Sequence, residues 1–126
     1  MTADTASPAG PRLALGAYGE RLAARHLVEQ GMVVLDRNWR CDQGEIDLVL
    51  RDGRTLVICE VKTRTSHDYG TPHEAIDRRK VDRLGRLAAC WLRVHSAHPD
   101  DVRLDLVAVL RPRSGAPEID HVRGLT

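Results

Sequence analysis

The chain has 126 residues, 42% of them hydrophobic and 29% charged, with a formal net charge of +1. This balance suits one compact domain and excludes a disordered chain, and the small net charge excludes a protein that coats nucleic acid by bulk charge alone. Phe is absent and the only aromatic residues are Tyr18, Trp39, Tyr69 and Trp91, so the core must be built from Leu, Val, Ile and Ala.

Residues 1–10 are small and polar and read as a disordered tail, with residues 11–126 forming the domain. The tail lacks the basic and apolar regions of a signal peptide, and no apolar run approaches membrane-spanning length. Cys41, Cys59 and Cys90 are odd in number and show no CxxC or Cys/His spacing. A disulfide framework and a zinc site are therefore not indicated, and a reducing, cytoplasmic location without membrane association is expected.

From about Pro11 to Gln30, Leu15, Leu22, Ala23 and Leu27 recur at helical spacing, and Gly31 is a natural stop. Gly16 and Gly19 are weak points in this helix that permit close packing. Met32–Leu35 reads as a short strand and Asn38–Gly44 as a connection. Glu45–Arg51 alternates as a strand does, Asp52-Gly53 signals a hairpin, and Thr55–Lys62 is rich in Val and Ile. Thr71-Pro72-His73-Glu74 offers a cap, a first-turn proline and a capping-box acid, so the second helix is expected from there to about His95. Its apolar stripe is Ile76, Leu84, Leu87, Ala88, Trp91 and Leu92. Val102–Leu110 is a further strand and Glu118–Val122 a short edge strand. The expected fold is one α/β domain of order αβββαβ, with or without the last edge strand. Strands one to three form a meander, and the second helix crosses over to return the fourth strand to the sheet.

A two-residue turn at Asp52-Gly53 sets Arg51 opposite Arg54, Asp47 opposite Ile58 and Glu45 opposite Glu60. Side chains alternate with period two, so Glu45, Asp47, Glu60 and Lys62 then emerge from one face. Like charges facing each other destabilise a sheet unless a cation holds them, and Mg²⁺ or Mn²⁺ takes carboxylates, water and phosphate oxygens. Lys62, about 7 Å along the strand from Glu60, places a cation beside such an ion. This is a workable phosphodiesterase site. The plainer reading is a row of solvated charges, with Glu45, Asp47 and Arg64 pairing with their neighbours for little net energy. The three-residue ExK pattern alone does not choose between them.

Gly16-Ala17-Tyr18-Gly19-Glu20, Arg37-Asn38-Trp39-Arg40, Gly44-Glu45-Ile46-Asp47-Leu48, Glu60-Val61-Lys62-Thr63-Arg64 and Arg103-Leu104-Asp105 occur in order along the chain. Together they resemble the YraN-like family of bacterial proteins over nearly all of residues 12–122. That family is uncharacterised in function. It looks like part of the PD-(D/E)xK nuclease superfamily, with a restriction-endonuclease-like fold whose mixed central sheet is flanked by helices, and it is similar to archaeal Holliday junction resolvases. The resemblance implies that Asp47, Glu60 and Lys62 form the catalytic set. Glu20 is implied as the first-helix acid that completes it, and the Val61 carbonyl as part of the metal shell. Glu45 belongs to the motif without an implied role. Leu104 stands where an aromatic is usual and Cys59 where Val is more usual; neither touches the implied set.

The second helix carries Arg78, Arg79, Lys80, Arg83, Arg86 and Arg93 against Asp77 and Asp82. This row reads either as a phosphate-binding face or as a solvated one. Arg64 and Lys80 lie in family motif regions and are the stronger candidates for DNA contact, with Arg79 and Arg83 beside them. His67, Tyr69 and Thr71 are expected on the loop after the active strand, touching substrate or simply connecting. Trp39 is expected in the core rather than stacked on a base, Asp105 paired with an arginine, and His95 and His98 at the surface. The expected function is a Mg²⁺- or Mn²⁺-dependent DNA endonuclease acting on branched or recombining DNA, dimeric if it resolves junctions. The alternative is a non-catalytic nucleic-acid-binding or scaffold module on the same fold.

Overall fold

Ala23, Ala24 and Leu27 lie along one side of the first helix and are at most 2% exposed. That stripe presses α1 (Gly10–Glu29) onto one face of a sheet. The computed structural model describes residues 10–66 and 76–125, with side chains from Ala14 onward. The rest of the expected tail lies outside this range, and Gly10, its last residue, opens α1. Gly31, at φ +99°, turns the chain into the sheet, as its position at the helix end suggests.

The strands are β1 (Val33–Cys41), β2 (Gly44–Asp52), β3 (Thr55–Arg64), β4 (Asp101–Leu110) and β5 (Glu118–Val122), adjacent in that order. All neighbours are antiparallel except β3 and β4, which are parallel and joined through α2 (Arg78–His95). A parallel pair needs a crossover, and α2 supplies it on the face opposite α1. The result is a single α/β domain with a five-stranded mixed sheet between two helices, an arrangement compatible with the restriction-endonuclease-like fold.

Each face buries its own cluster. Leu48, Leu50, Val57, Cys59, Val107 and Val109 pack under α1. Val49, Leu56 and Ile58 pack under Leu84, Leu87, Ala88 and Trp91 of α2. Each such large apolar side chain contributes about 1.5–3 kcal/mol of transfer free energy. Cys59 is fully buried, as its replacement of a valine suggests, and Leu104 packs half-buried against the α2-side cluster.

Three expectations need correction. The first strand does not stop at Leu35. It continues to Cys41, with a register shift between Val34 and Asp36, and Trp39, Arg40 and Cys41 pair with β2 instead of forming a connection. The polar run Asp36-Arg37-Asn38 hides this continuation, because β1 is an edge strand with little side-chain burial. The second hairpin turns at Gly53-Arg54, so Asp52 faces Thr55 and Leu48 faces Cys59, two residues off the expected register. A shift of two keeps the paired residues Leu48–Asp52 and Thr55–Cys59 on their expected faces. The proposed start at Thr71–Glu74 lies outside the described residues, but Ile76 and Asp77, which the expected helix includes, are not helical, so Ile76 does not belong to its apolar stripe. The described helix begins at Arg78 after the non-helical Asp77, whose side chain accepts the Lys80 amide at 2.9 Å.

Candidate functional site

Pairing between β2 and β3 runs from Asp52–Thr55 to Leu48–Cys59 and ends there, although β1 pairs with β2 down to Gly44 and β3 with β4 up to Arg64. The two central strands therefore part beyond Leu48 and Cys59. The side chain of Asp47 fills the fork, and its Oδ2 accepts the Val61 N–H at 2.8 Å. Alternation also fails here: Ile46 joins the α2-side cluster, whereas Leu48 and Leu50 join the α1-side cluster. Asp47 thus sits where the strand swaps faces. Asn38, in the left-handed region at φ 49°, marks the matching irregularity in β1.

The fork opens into a cleft of about 270 Å³ lined by Glu45, Asp47, Glu60, Val61, Lys62 and the Arg83–Leu84 pair. Burial pushes the Asp47 carboxyl up to about 6; the Val61 bond opposes this, and the charges of Glu20, Glu60 and Glu45 add to it. Glu60 is only 9% exposed. Its carboxylate meets three cations: Arg83 Nη2 at 3.0 Å on Oε1, and Lys80 Nζ at 3.7 Å and Lys62 Nζ at 3.8 Å on Oε2.

Glu20 reaches this neighbourhood from α1. Gly19 makes the approach possible, since a Cβ there would overlap the Thr63 hydroxyl. Gly16, by contrast, faces open space. Burial raises the Glu20 carboxyl above its ordinary value. A hydrogen bond from Asn38 opposes that, Glu45 adds to it, and Arg37 opposes it again. Glu20 does not line the cleft itself.

The structure therefore gathers Asp47, Glu60, Val61 and Lys62 in one cleft with Glu45, and sets Glu20 within electrostatic reach of Asp47. The carboxylates do not form a tight cage. Among the described residues, only Cys41, Asp42 and Cys90 bring three Cys, His, Asp or Glu ligand atoms within 4.8 Å of one another. Those two cysteines are 49 positions apart, so no local spacing announces them. Of the residues expected to touch nucleic acid, Lys80 and Arg83 turn inward to Glu60, Arg79 is exposed on the first turn of α2, and Arg64 is half-buried at the end of β3.

Outside the cleft, Asp105 is fully buried and paired with Arg103 at 2.9 and 3.1 Å, as its structural reading expects. His121 at 2.8 Å and the Gly124 amide at 3.0 Å complete its shell. Trp39 is half-buried against the α2-side cluster. His95 is exposed at the end of α2, as expected, and its ring is stacked on Trp91 at 4.0 Å, tilted against Trp39 and 3.7 Å from Asp36. The Trp91 indole N–H also donates to Asp36 at 3.2 Å, tying α2 to β1. His67, Tyr69 and Thr71 lie outside the described residues. No helix among the described residues is long and apolar enough to cross a membrane.

A family model described as "Uncharacterised protein family UPF0102" matches residues 19–109. A "UPF0102 protein" of Nocardioides sp. is 61% identical over 125 residues, covering 99% of each chain. One of Beutenbergia cavernae is 58% identical over 112 residues, covering 89% of this chain and 95% of that one. One of Streptomyces griseus is 57% identical over 116 residues, covering 91% and 98%. The matched span includes Glu20, both strands of the fork and α2.

Proposed function

The chain belongs to the uncharacterised protein family UPF0102, and from that premise we propose that it is a metal-dependent endonuclease that hydrolyses phosphodiester bonds in DNA, with branched or recombining DNA as the expected substrate. The observation that carries this reading is the fork: Asp47 and Glu60 meet in one polar cleft, with Lys62 on the same strand as Glu60.

The residues fit a hard divalent cation. An acid held at about 6 by burial and by three neighbouring carboxylates gains from any cation placed among them. Mg²⁺ and Mn²⁺ use one or two carboxylates together with carbonyl, water and phosphate oxygens, so a loose set suffices. Asp47 and Glu60 would hold the ion, with the Val61 carbonyl and Glu20 as the further oxygens that the family resemblance implies. When bound, such an ion polarises a phosphate oxygen and makes a water acidic. Lys62 places an ammonium where it can orient that water or offset charge developing on the phosphate. Asp47, through the Val61 amide, fixes the spacing between the two acid-bearing strands.

A second reading has its own support. Glu60 is already met by three cations, so its burial needs no metal. A non-catalytic nucleic-acid-binding or scaffold module would look the same. Labelled four-way, flap and linear DNA, incubated with Mg²⁺ or Mn²⁺ beside an EDTA control and the Lys62→Ala protein, separates the two. Cleavage that needs both the metal and Lys62 supports the enzyme. Binding without cleavage, unchanged by Lys62→Ala, supports the module.

A further inference from the structure

The cations nominated on α2 are partly engaged at the cleft itself, since Lys80 and Arg83 are paired with Glu60. A different row is differently placed. Arg21 and Arg25 lie one turn apart on the exposed side of α1, about 6 Å along the helix axis. Arg37 faces them from β1, and the three arginines line a groove of about 510 Å³ with Tyr18, Leu22 and Val28. No carboxylate among the described residues lines it. Val28 is 50% exposed, so part of the lining is apolar and open. Near Tyr18, the Arg111 guanidinium lies 5.1 Å over the ring and adds a fourth positive charge.

The groove lies next to Glu20. Arg21 follows Glu20 directly, and the charge of Arg37 acts on the Glu20 carboxyl. Guanidinium groups spread along a groove from two elements suit a chain of phosphates better than a single anion. Each can fork onto phosphate oxygens, while an apolar lining accommodates sugar faces.

We propose that the α1–β1 groove binds the phosphate backbone of the nucleic acid flanking the phosphate at the cleft, through Arg21, Arg25 and Arg37. The inference rests on the nuclease reading for its substrate class, but its test reads binding alone. It gives the protein a backbone-tracking surface on the α1 side of the fork, so a substrate arm crosses the edge of the sheet at β1.

The test is fluorescence anisotropy of labelled duplex and four-way DNA with the full-length protein in EDTA, from about 50 to about 200 mM salt. The Arg21→Ala/Arg25→Ala/Arg37→Ala protein is compared with wild type and with Arg78→Ala/Arg79→Ala, after circular dichroism shows all three folded. The groove variant is expected to bind at least about tenfold more weakly at low salt. Its log–log salt slope should be shallower by about 2–3, since each phosphate left unneutralised reduces the slope by about 0.9. The α2 variant is expected to change less. Equal affinity and equal slope for wild type and the groove variant overturn the proposal. So does wild-type protein that ignores both DNAs but binds phosphatidylglycerol vesicles through the same arginines. Arginine-dependent binding without cleavage in Mn²⁺ sinks the nuclease reading and leaves the groove standing. Cleavage with unaltered binding by the groove variant does the reverse.

Discussion

The carboxylate of Asp47 accepts the main-chain N–H of Val61 at 2.8 Å, so an acid on β2 takes the place of a ladder acceptor where the two central strands part. That position also makes Asp47 sensitive to pH. Its carboxyl rises from the usual 3.8 to about 6, chiefly through burial. A raised folded value means that the folded state holds a proton the unfolded chain has released. Stability from this group is therefore full below 3.8 and is lost as pH rises through about 6. In metal-free buffer, urea unfolding should show stability falling across that window, and Asp47→Asn, which keeps an acceptor for Val61, should flatten the fall. An identical pH slope in both proteins would remove Asp47 as its source.

Metal should reverse that trend. A cation at the fork favours ionised Asp47, so binding becomes stronger as pH rises toward about 6 and then levels. Melting curves with and without Mn²⁺ should show a stabilisation that grows over this range, because a ligand of the native state raises stability by mass action. Asp47→Asn should abolish the increment. A Mn²⁺ effect that is flat with pH, or that survives in the variant, would place the ion elsewhere.

How much of this is legible in the sequence differs from residue to residue. The shared face of Asp47, Glu60 and Lys62 follows from period-two alternation, and it survives a register shift of two because such a shift preserves parity. The fork does not follow from the same rule. Strict alternation puts Ile46 with Leu48, but the chain switches faces between them, and only pairing across three strands reveals the switch. The continuation of β1 through Asn38 is masked by polar residues on an edge strand and by a left-handed residue within it. The pairing of Lys80 and Arg83 with Glu60 spans the crossover, a distance in sequence at which spacing carries no information.

Gly19 is where helix packing and the candidate site meet. Gly19→Ala would drive a Cβ into Thr63, whose hydroxyl it overlaps and whose own Cβ stands 2.9 Å away. The helical preference for Ala over Gly, about 1 kcal/mol, opposes this effect. Overpacking of about 1–3 kcal/mol should outweigh it, because a Cβ cannot rotate aside. Gly19→Ala is expected to lower the unfolding midpoint and to weaken Mn²⁺ binding by shifting Glu20. In a Thr63→Gly background the same change should become stabilising. A destabilisation that persists there would mean that Thr63 is not its cause.

Asp105 anchors the other side of the sheet. Burial alone pushes its carboxyl up, but His121, Arg103 and the Gly124 amide outweigh burial and hold it below the usual value. A depressed value contributes stability above 3.8 that is lost as pH falls through the folded value. Asp105→Asn removes the buried charge that Arg103 pairs with, although Asp52 still meets its guanidinium at 3.3 Å, and should cost about 1–3 kcal/mol near neutral pH. Urea midpoints should show the gap between the two proteins narrowing in acid. A gap that does not depend on pH would point to poorer packing rather than to the missing charge.

Glu60→Gln separates the roles of the cleft most directly. Wild-type Glu60 compensates Lys62, Lys80 and Arg83 at distances of 3.0–3.8 Å. Removing its charge leaves Lys62 and Arg83 facing a cleft that also holds Asp47. Without metal, phosphate should then be attracted more strongly: DNA affinity in EDTA should rise, with a salt slope steeper by up to about 0.9 for each newly engaged phosphate. Cleavage in Mn²⁺ should fall to background, because the ion loses one of its two acids. The variant would thus bind more tightly and turn over less, a split that general unfolding cannot produce. If affinity falls together with cleavage, the cations are held in place by Glu60 rather than merely neutralised by it, and the acid is structural before it is catalytic.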